Sequence, residues 1–193
     1  MRHSIMNIIA IAIAVIAMLT FSSCKPEKEK DVKCIEVSHI HSIEANNAVS
    51  VIYTPGEETS VSIACDTNYI PLLDVYEKDG TLHAGLVRGG RVPVSGIKVK
   101  VTAPAVTAFH AEDAANISCS DFSTDASVDI STETAGQVIF SNLKCQTLRV
   151  NSSSASNVTV KTLRCDALDA TLSLSASNLY VGECKKISIR QGT

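Results

Sequence analysis

The sequence predicts an all-β chain, in which an antiparallel β-strand head runs into a right-handed parallel β-helix or solenoid with coils of about 20 residues. Three observations lead there. Short segments that alternate apolar and polar residues fill the chain from Ile35 onward, as half-buried strands do. Turn pairs such as Pro55-Gly56 and Asp79-Gly80 separate the earlier segments, and these residues supply the backbone angles that tight turns need. The later segments repeat: "SSSASNV" at 152–158 returns as "SLSASNL" at 173–179, and a fixed period of roughly 20 residues or more signals stacked repeats.

Four regions follow in order: a signal segment at 1–23, a tether at 24–33, the head at 34–104 and the solenoid at 105–193, the last two continuous as one domain. The apolar run from Ile8 to Leu19 follows Arg2 and His3. It is shorter than the ~20 residues a bilayer-spanning helix needs, and has the length of a signal-peptide core. It closes on "LTFSSC", where Ser22 and Ser23 lead into Cys24. This resembles the lipobox of bacterial lipoproteins, with Phe21 where Leu is commoner, as in the looser boxes of Bacteroidetes. The resemblance implies that Cys24 is lipidated and that the mature protein, exported across the inner membrane, is lipid-anchored in the outer membrane, facing either the periplasm or the outside. An ordinary secreted protein is the alternative. Lys25 to Lys33, "KPEKEKDVK", mixes charges without apolar periodicity and reads as a flexible spacer.

In the head, "NNAVSVIY", "TSVSIAC", "TLHAGLV" and "IKVKVTA" alternate between turns at Pro55-Gly56, Asp79-Gly80, Gly89-Gly90 and Ser95-Gly96. They read as antiparallel neighbours. The exception is "DTNYIPLL", where Asp66 or Thr67 would cap one helical turn that Pro71 keeps short.

After Pro104 the chain falls into register. Asn116, Gln137, Asn157 and Asn178 form one column, and Cys119, Phe140, Val160 and Val181 another. Phe122, Leu143 and Leu163 follow, then Val128, Leu148, Leu168 and Ile187. No single coil can bury its own apolar face, so stacking at ~4.8 Å supplies the core. The amide column marks a corner where side chains hydrogen-bond coil to coil. Asp129, Arg149 and Asp169 point outward between apolar neighbours, which predicts an acid–base–acid ladder. The last strand, "KISIR", offers an unpaired edge, so edge-to-edge self-association is expected unless the final rung frays.

The segments "FHAEDAANIS", "TETAGQVIF", "NSSSASNVTV" and "LSLSASNLYV" stand where one family repeats Ser-Gly-Ala-Ser before an apolar residue. The upstream stretch from "IEANNAVSVIY" to "TLHAGL" follows the same family's head pattern. The chain thus resembles the putative auto-transporter adhesin, head GIN domain proteins of Bacteroidetes, a family of undetermined function. Ala115 and Ser154 replace the corner glycine usual there.

Composition excludes several classes. The net charge is −3 with no basic run, which argues against nucleic acid, whose phosphates demand clustered Lys and Arg. There is no Trp and only 4% aromatic residues, so an aromatic-lined small-molecule pocket is disfavoured and no cofactor is implied. Six cysteines, Cys34, Cys65, Cys119, Cys145, Cys165 and Cys184, follow Cys24 without a C-x-x-C pair or zinc spacing, so no metal is assigned. Cys145 and Cys165 ("LKCQ", "LRCD") read as stacked buried thiols, while Cys34 and Cys65 fall in strands that could be neighbours and leave a disulfide open. His39 and His41 share a strand face, a spacing a metal could use but one commonly found on exposed strands. Asp113, Asp121, Asp125 and Asp129, with the cations Arg149, Lys161 and Arg164, scatter over several columns, and no nucleophile elbow, phosphate loop or dinucleotide motif occurs. The reading is a non-catalytic cell-envelope lipoprotein, a binding, adhesin-like or structural module with a glycan or protein ligand. The alternative is a carbohydrate-active enzyme on the same scaffold.

Overall fold

Alternation sets which side of each strand is wetted. Between Gln137 and Lys144, for example, Val138, Phe140 and Leu143 are buried while Asn142 and Lys144 are exposed. The computed structural model describes residues 31–91, 96–173, 178–180 and 183–191. The signal segment, Cys24, the tether up to Lys30, and Val181 lie outside the described residues.

The described chain is all-β. Its first part holds β1 (Asp31–Ile35), β2 (Ser42–Ala45), β3 (Ser50–Pro55), β4 (Ser60–Cys65), β5 (Leu73–Lys78), β6 (Thr81–Leu86) and β7 (Ile97–Ala103). The second holds β8 (Ala108–Ala111), β9 (Asn116–Ser123), β10 (Val128–Thr132), β11 (Gln137–Lys144), β12 (Thr147–Ser153) and β13 (Asn157–Cys165). β14 (Ala167–Ser173), β15 (Asn178–Tyr180), β16 (Glu183–Cys184) and β17 (Ile187–Gln191) complete it. A short 3-10 turn at Thr67–Leu72 joins β4 to β5, and the Asp66 side chain caps it by accepting from the Asn68 N–H.

Two mixed sheets result. One runs β1-β4-β7-β3-β9-β11-β13-β15, with β16 also on β13; the other runs β17-β14-β12-β10-β8-β2-β6-β5. From β8 to β15 the chain alternates between the sheets, β16 falls with β15 on β13, and every neighbour among these described strands is parallel. Asn116 faces Gln137 and Gln137 faces Asn157, steps of 21 and 20 residues. Val128, Leu148, Leu168 and Ile187 follow at steps of 20, 20 and 19. The apolar columns read from the sequence are therefore strand neighbours.

The expected antiparallel head needs correction. β2 pairs parallel with both β6 and β8, and β3 parallel with both β7 and β9. Ser42 faces Ala108 and Ser50 faces Asn116, the same 66-residue offset in both sheets. So β2 and β3 already form a rung of the stack, and β4 to β7 are an excursion from it. Among the described strands only β1 on β4, β4 on β7, and β5 on β6 are antiparallel. Alternation of period two is identical in parallel and antiparallel strands, so the sequence pattern alone does not separate them. Of the turn signals, Asp79-Gly80 makes a true hairpin between β5 and β6, both residues at positive φ (51° and 75°) as such a two-residue turn requires. Pro55-Gly56 does not, because β7 lies between β3 and β4. The boundary of the tether also moves: Asp31 to Lys33 belong to β1.

One apolar cluster fills the space between the sheets. Its centre is aromatic. Phe109 of one sheet packs edge-on against Phe140 of the other, ring centroids 5.1 Å apart, and lies 5.6 Å from Tyr53. Phe122 closes the group at 5.7 Å from Tyr53. The Tyr53 hydroxyl donates to the Ala103 carbonyl at 3.0 Å, which satisfies the polar end of a buried ring. β1 and β4 are indeed neighbours, but Cys34 lies opposite Ser62 and Cys65 opposite Asp31. Cys34 is exposed and Cys65 buried, so their side chains leave opposite faces and no disulfide joins them.

Candidate functional site

The first corner of four rungs is a stack of unusual backbone. Asp113-Ala114, Thr134-Ala135 and Ser154-Ala155 each place two successive non-glycine residues at positive φ, between 44° and 63°, and Asn47-Ala48 does the same between β2 and β3. Left-handed conformations are costly for residues with a Cβ, by about 1 kcal/mol or more each, so something must hold them. Hydrogen bonds along the stack do so: Ala48 N–H donates to the Asp113 carbonyl, Ala114 N–H to Thr134 and Ala135 N–H to Ser154, at 2.9 to 3.1 Å. Short polar Asn, Asp, Thr and Ser fill the first position and Ala the second, the smallest side chain that still differs from glycine. Behind them Ala115, Gly136 and Ser156 are buried. The Ser156 hydroxyl donates to the Thr132 carbonyl and joins a buried cluster with Thr132 and Ser152.

The amide column stands in front of this corner. Asn116 Nδ2 donates to Gln137 Oε1 at 2.9 Å. The Asn157 Oδ1 atom is buried, and no donor among the described residues reaches it. The backbone register continues the column to Asn178. Ser50, Asn116, Gln137 and Asn157 on one side, and the methyls of Ala114, Ala135 and Ala155 on the other, line a shallow groove of about 410 Å³ that crosses the rungs.

The second corner, where each rung returns to the other sheet, carries charge. Thr124, Asp125, Lys144, Cys145, Gln146, Arg164, Cys165, Asp166 and Lys185 line a larger cavity of about 770 Å³. Lys185 Nζ meets Asp166 Oδ1 at 2.7 Å, and this hydrogen bond holds the ammonium above its ordinary pKa. Sequence reading stacked Cys145 with Cys165 but missed this cavity. The signal was in the same quoted words, since Lys144 and Arg164 directly precede the two thiols.

Outward charges on the second sheet fall in register as Asp129, Arg149 and Asp169. Arg149 Nη1 lies 3.2 Å from Asp129 Oδ1. The Asp169 carboxylate is faced instead by Arg190 at 3.5 Å, an ion pair without a hydrogen bond, so Arg149 does not bridge both acids. At the head, His83 Nδ1 is 2.9 Å from Glu44 Oε2, and the His83 ring stacks on Tyr76 at 4.8 Å. His39 and His41 lie with ring centroids 6.1 Å apart. Among the described residues no three His, Cys, Asp or Glu side chains come together as a metal site, and no helix is long and apolar enough to cross a membrane.

Two facing mixed sheets stepped by a repeat of about 20 residues, with a polar corner along one edge and a charged one along the other, define an all-β repeat protein. The chain belongs to the family described as "Putative auto-transporter adhesin, head GIN domain", whose model matches residues 39–190. Solved structures share the fold. A "putative adhesin" from Bacteroides fragilis is 19% identical with a TM-score of 0.67, over 86% of this chain and 94% of that one. A "putative adhesin" from Parabacteroides distasonis is 13% identical with a TM-score of 0.54, over 86% and 94%. A "putative lipid binding protein" from the same species is 10% identical with a TM-score of 0.52, over 86% and 98%. A comparison with curated proteins found no match.

Proposed function

We propose that the protein is a non-catalytic binding module of the cell envelope, wound as a right-handed parallel solenoid and held to the membrane through lipidated Cys24. The observation that carries the binding role is the amide groove: Asn116, Gln137 and Asn157 repeat one hydrogen-bonding group per rung beside a row of alanine methyls. Such a strip suits an extended, repeating ligand that offers a hydroxyl or amide at each step, a glycan before all. The adhesin names of the family and of its structural relatives support the same role.

The test is a glycan array and a protein pull-down with the full chain and with Asn116→Ala/Gln137→Ala/Asn157→Ala. A ligand retained by the first and lost by the second, with melting temperature little changed, fits the groove; retention by both removes it as the site. The anchor is tested separately by metabolic labelling with an alkyne palmitate, where label persisting in Cys24→Ala overturns it. Edge-to-edge association is a further part of the reading. Ile187 and Ile189 continue columns that are buried in every earlier rung, yet they are 54% and 58% exposed. Light scattering at high concentration checks it, and a strict monomer counts against it.

A further inference from the structure

Lys144 and Arg164 are direct neighbours on adjacent parallel strands, about 4.8 Å apart at the backbone. Both side chains are exposed, and neither pairs with a carboxylate among the described residues. Like charges placed opposite each other in a sheet repel and destabilise it. Two such cations stand at the rim of the cavity of about 770 Å³, in a chain whose net charge is −3. Lys185 adds a third cation and Asp166 offsets it by direct contact. Among the side chains described at its lining the cavity holds Lys144, Arg164 and Lys185 against Asp125 and Asp166, 3 − 2 = +1, while Glu183 stands opposite Arg164 in the backbone register. A bound anion would relieve the repulsion and gain two charge-assisted hydrogen bonds.

The spacing selects the kind of anion. An acidic peptide lying extended presents its same-face carboxylates every second residue, about 6.7 Å apart. The two cations are rooted closer than that, about 4.8 Å apart at the backbone. The Thr124 hydroxyl and the Gln146 amide line the same cavity and can hydrogen-bond to sugar hydroxyls. We propose that this second corner binds a linear acidic polysaccharide, whose carboxylate or sulfate groups Lys144 and Arg164 hold. The site is separate from the amide groove and does not depend on it.

Calorimetric titration of the full chain with polygalacturonate, dextran sulfate, neutral dextran and polyglutamate tests this. One of the acidic polysaccharides binds, weakening with salt as an exposed ionic contact must, and neutral dextran does not; which of the two binds tells carboxylate from sulfate. Lys144→Gln/Arg164→Gln lowers that affinity roughly tenfold or more, by loss of two charged hydrogen bonds. Lys100→Gln, an exposed cation elsewhere on β7, leaves it within about twofold, as a remote screened charge should. The ligand-free double variant melts no lower than the parent at low salt, because it removes a repulsion. Lys144→Gln alone serves as the second variant should the double one misfold, and Arg164→Lys, which keeps the charge, retains most of the binding. Failure of both acidic polysaccharides to bind, equal binding by the neutralised variant, or tighter binding of polyglutamate overturns the proposal.

Discussion

Gly136 is the one glycine among the buried residues behind the stacked corners, where its counterparts are Ala115 and Ser156. A Cβ built on it would fall 2.0 Å from the Ala111 carbonyl oxygen and 2.8 Å from that of Glu133. Both obstacles are backbone, which yields little. Gly136→Ala is therefore expected to destabilise by about 1–3 kcal/mol, the usual penalty for overpacking, seen as a lower urea midpoint; an unchanged midpoint would mean the corner is looser than drawn. Arg149 offers a subtler test. Its contact with Asp129 is exposed and contributes about 0.2–1 kcal/mol. Reversal to Glu, however, puts an acid between Asp129 and Asp169, its register neighbours on either side. Arg149→Glu should destabilise more than Lys161→Glu, and 1 M salt should shrink the excess, since the Debye length falls to ~3 Å there. Equivalent reversals at all salt concentrations would contradict this.

The strands and their spacing were legible in the sequence because stacking forces each apolar column to repeat. Phe122, Leu143 and Leu163 fall into line from the letters alone, and the backbone register agrees. Strand direction in the head was not legible. β2 finds its parallel partners 39 and 66 residues away, at Thr81 and Ala108 opposite Ser42, and no local signal announces so long a return. The amide column was legible because its members are polar where neighbours are not. The alanines beside it were hidden, since left-handed Ala is a product of stacking and not of any preference of its own. The charged cavity was hidden for another reason: it belongs to no single rung, and forms only when Lys144 and Arg164 meet. Packing across the sheets has its own test. Phe109 on β8 reaches Tyr53, Phe122 and Phe140 on three strands of the opposite sheet. Phe109→Ala should lose about 3–5 kcal/mol, enough to unfold a domain of ordinary stability in part at room temperature, with near-ultraviolet dichroism and thermal melts as the readout. A loss below 1 kcal/mol would show that the sheets do not depend on this contact.

Taken as one body, the molecule should be sensitive to alkali. Burial pushes the Cys119 thiol up to about 12 from 9.0 and the Tyr53 hydroxyl up to about 12 from 10.0. The unfolded chain releases these protons near pH 9 and 10, the folded chain only near 12. The folded state thus binds more protons through that window, and stability must fall as pH rises. Melting temperature is expected to fall between about pH 9 and 12, and Tyr53→Phe should flatten part of the fall; a parallel decline in the variant would assign it elsewhere. The arrangement of strands has a mechanical consequence too. β1 borders one end of the stack and β17 the other, so tension applied between them runs along the hydrogen bonds and opens them a few at a time, where a pull along the strands would load many at once in shear. Each rung of about 20 residues released this way adds roughly 65 Å of contour. Held in optical tweezers at these two ends, the protein should lengthen by successive steps of that size at low force, yielding like a seam; a single rupture of the whole fold would mean that the rungs share load.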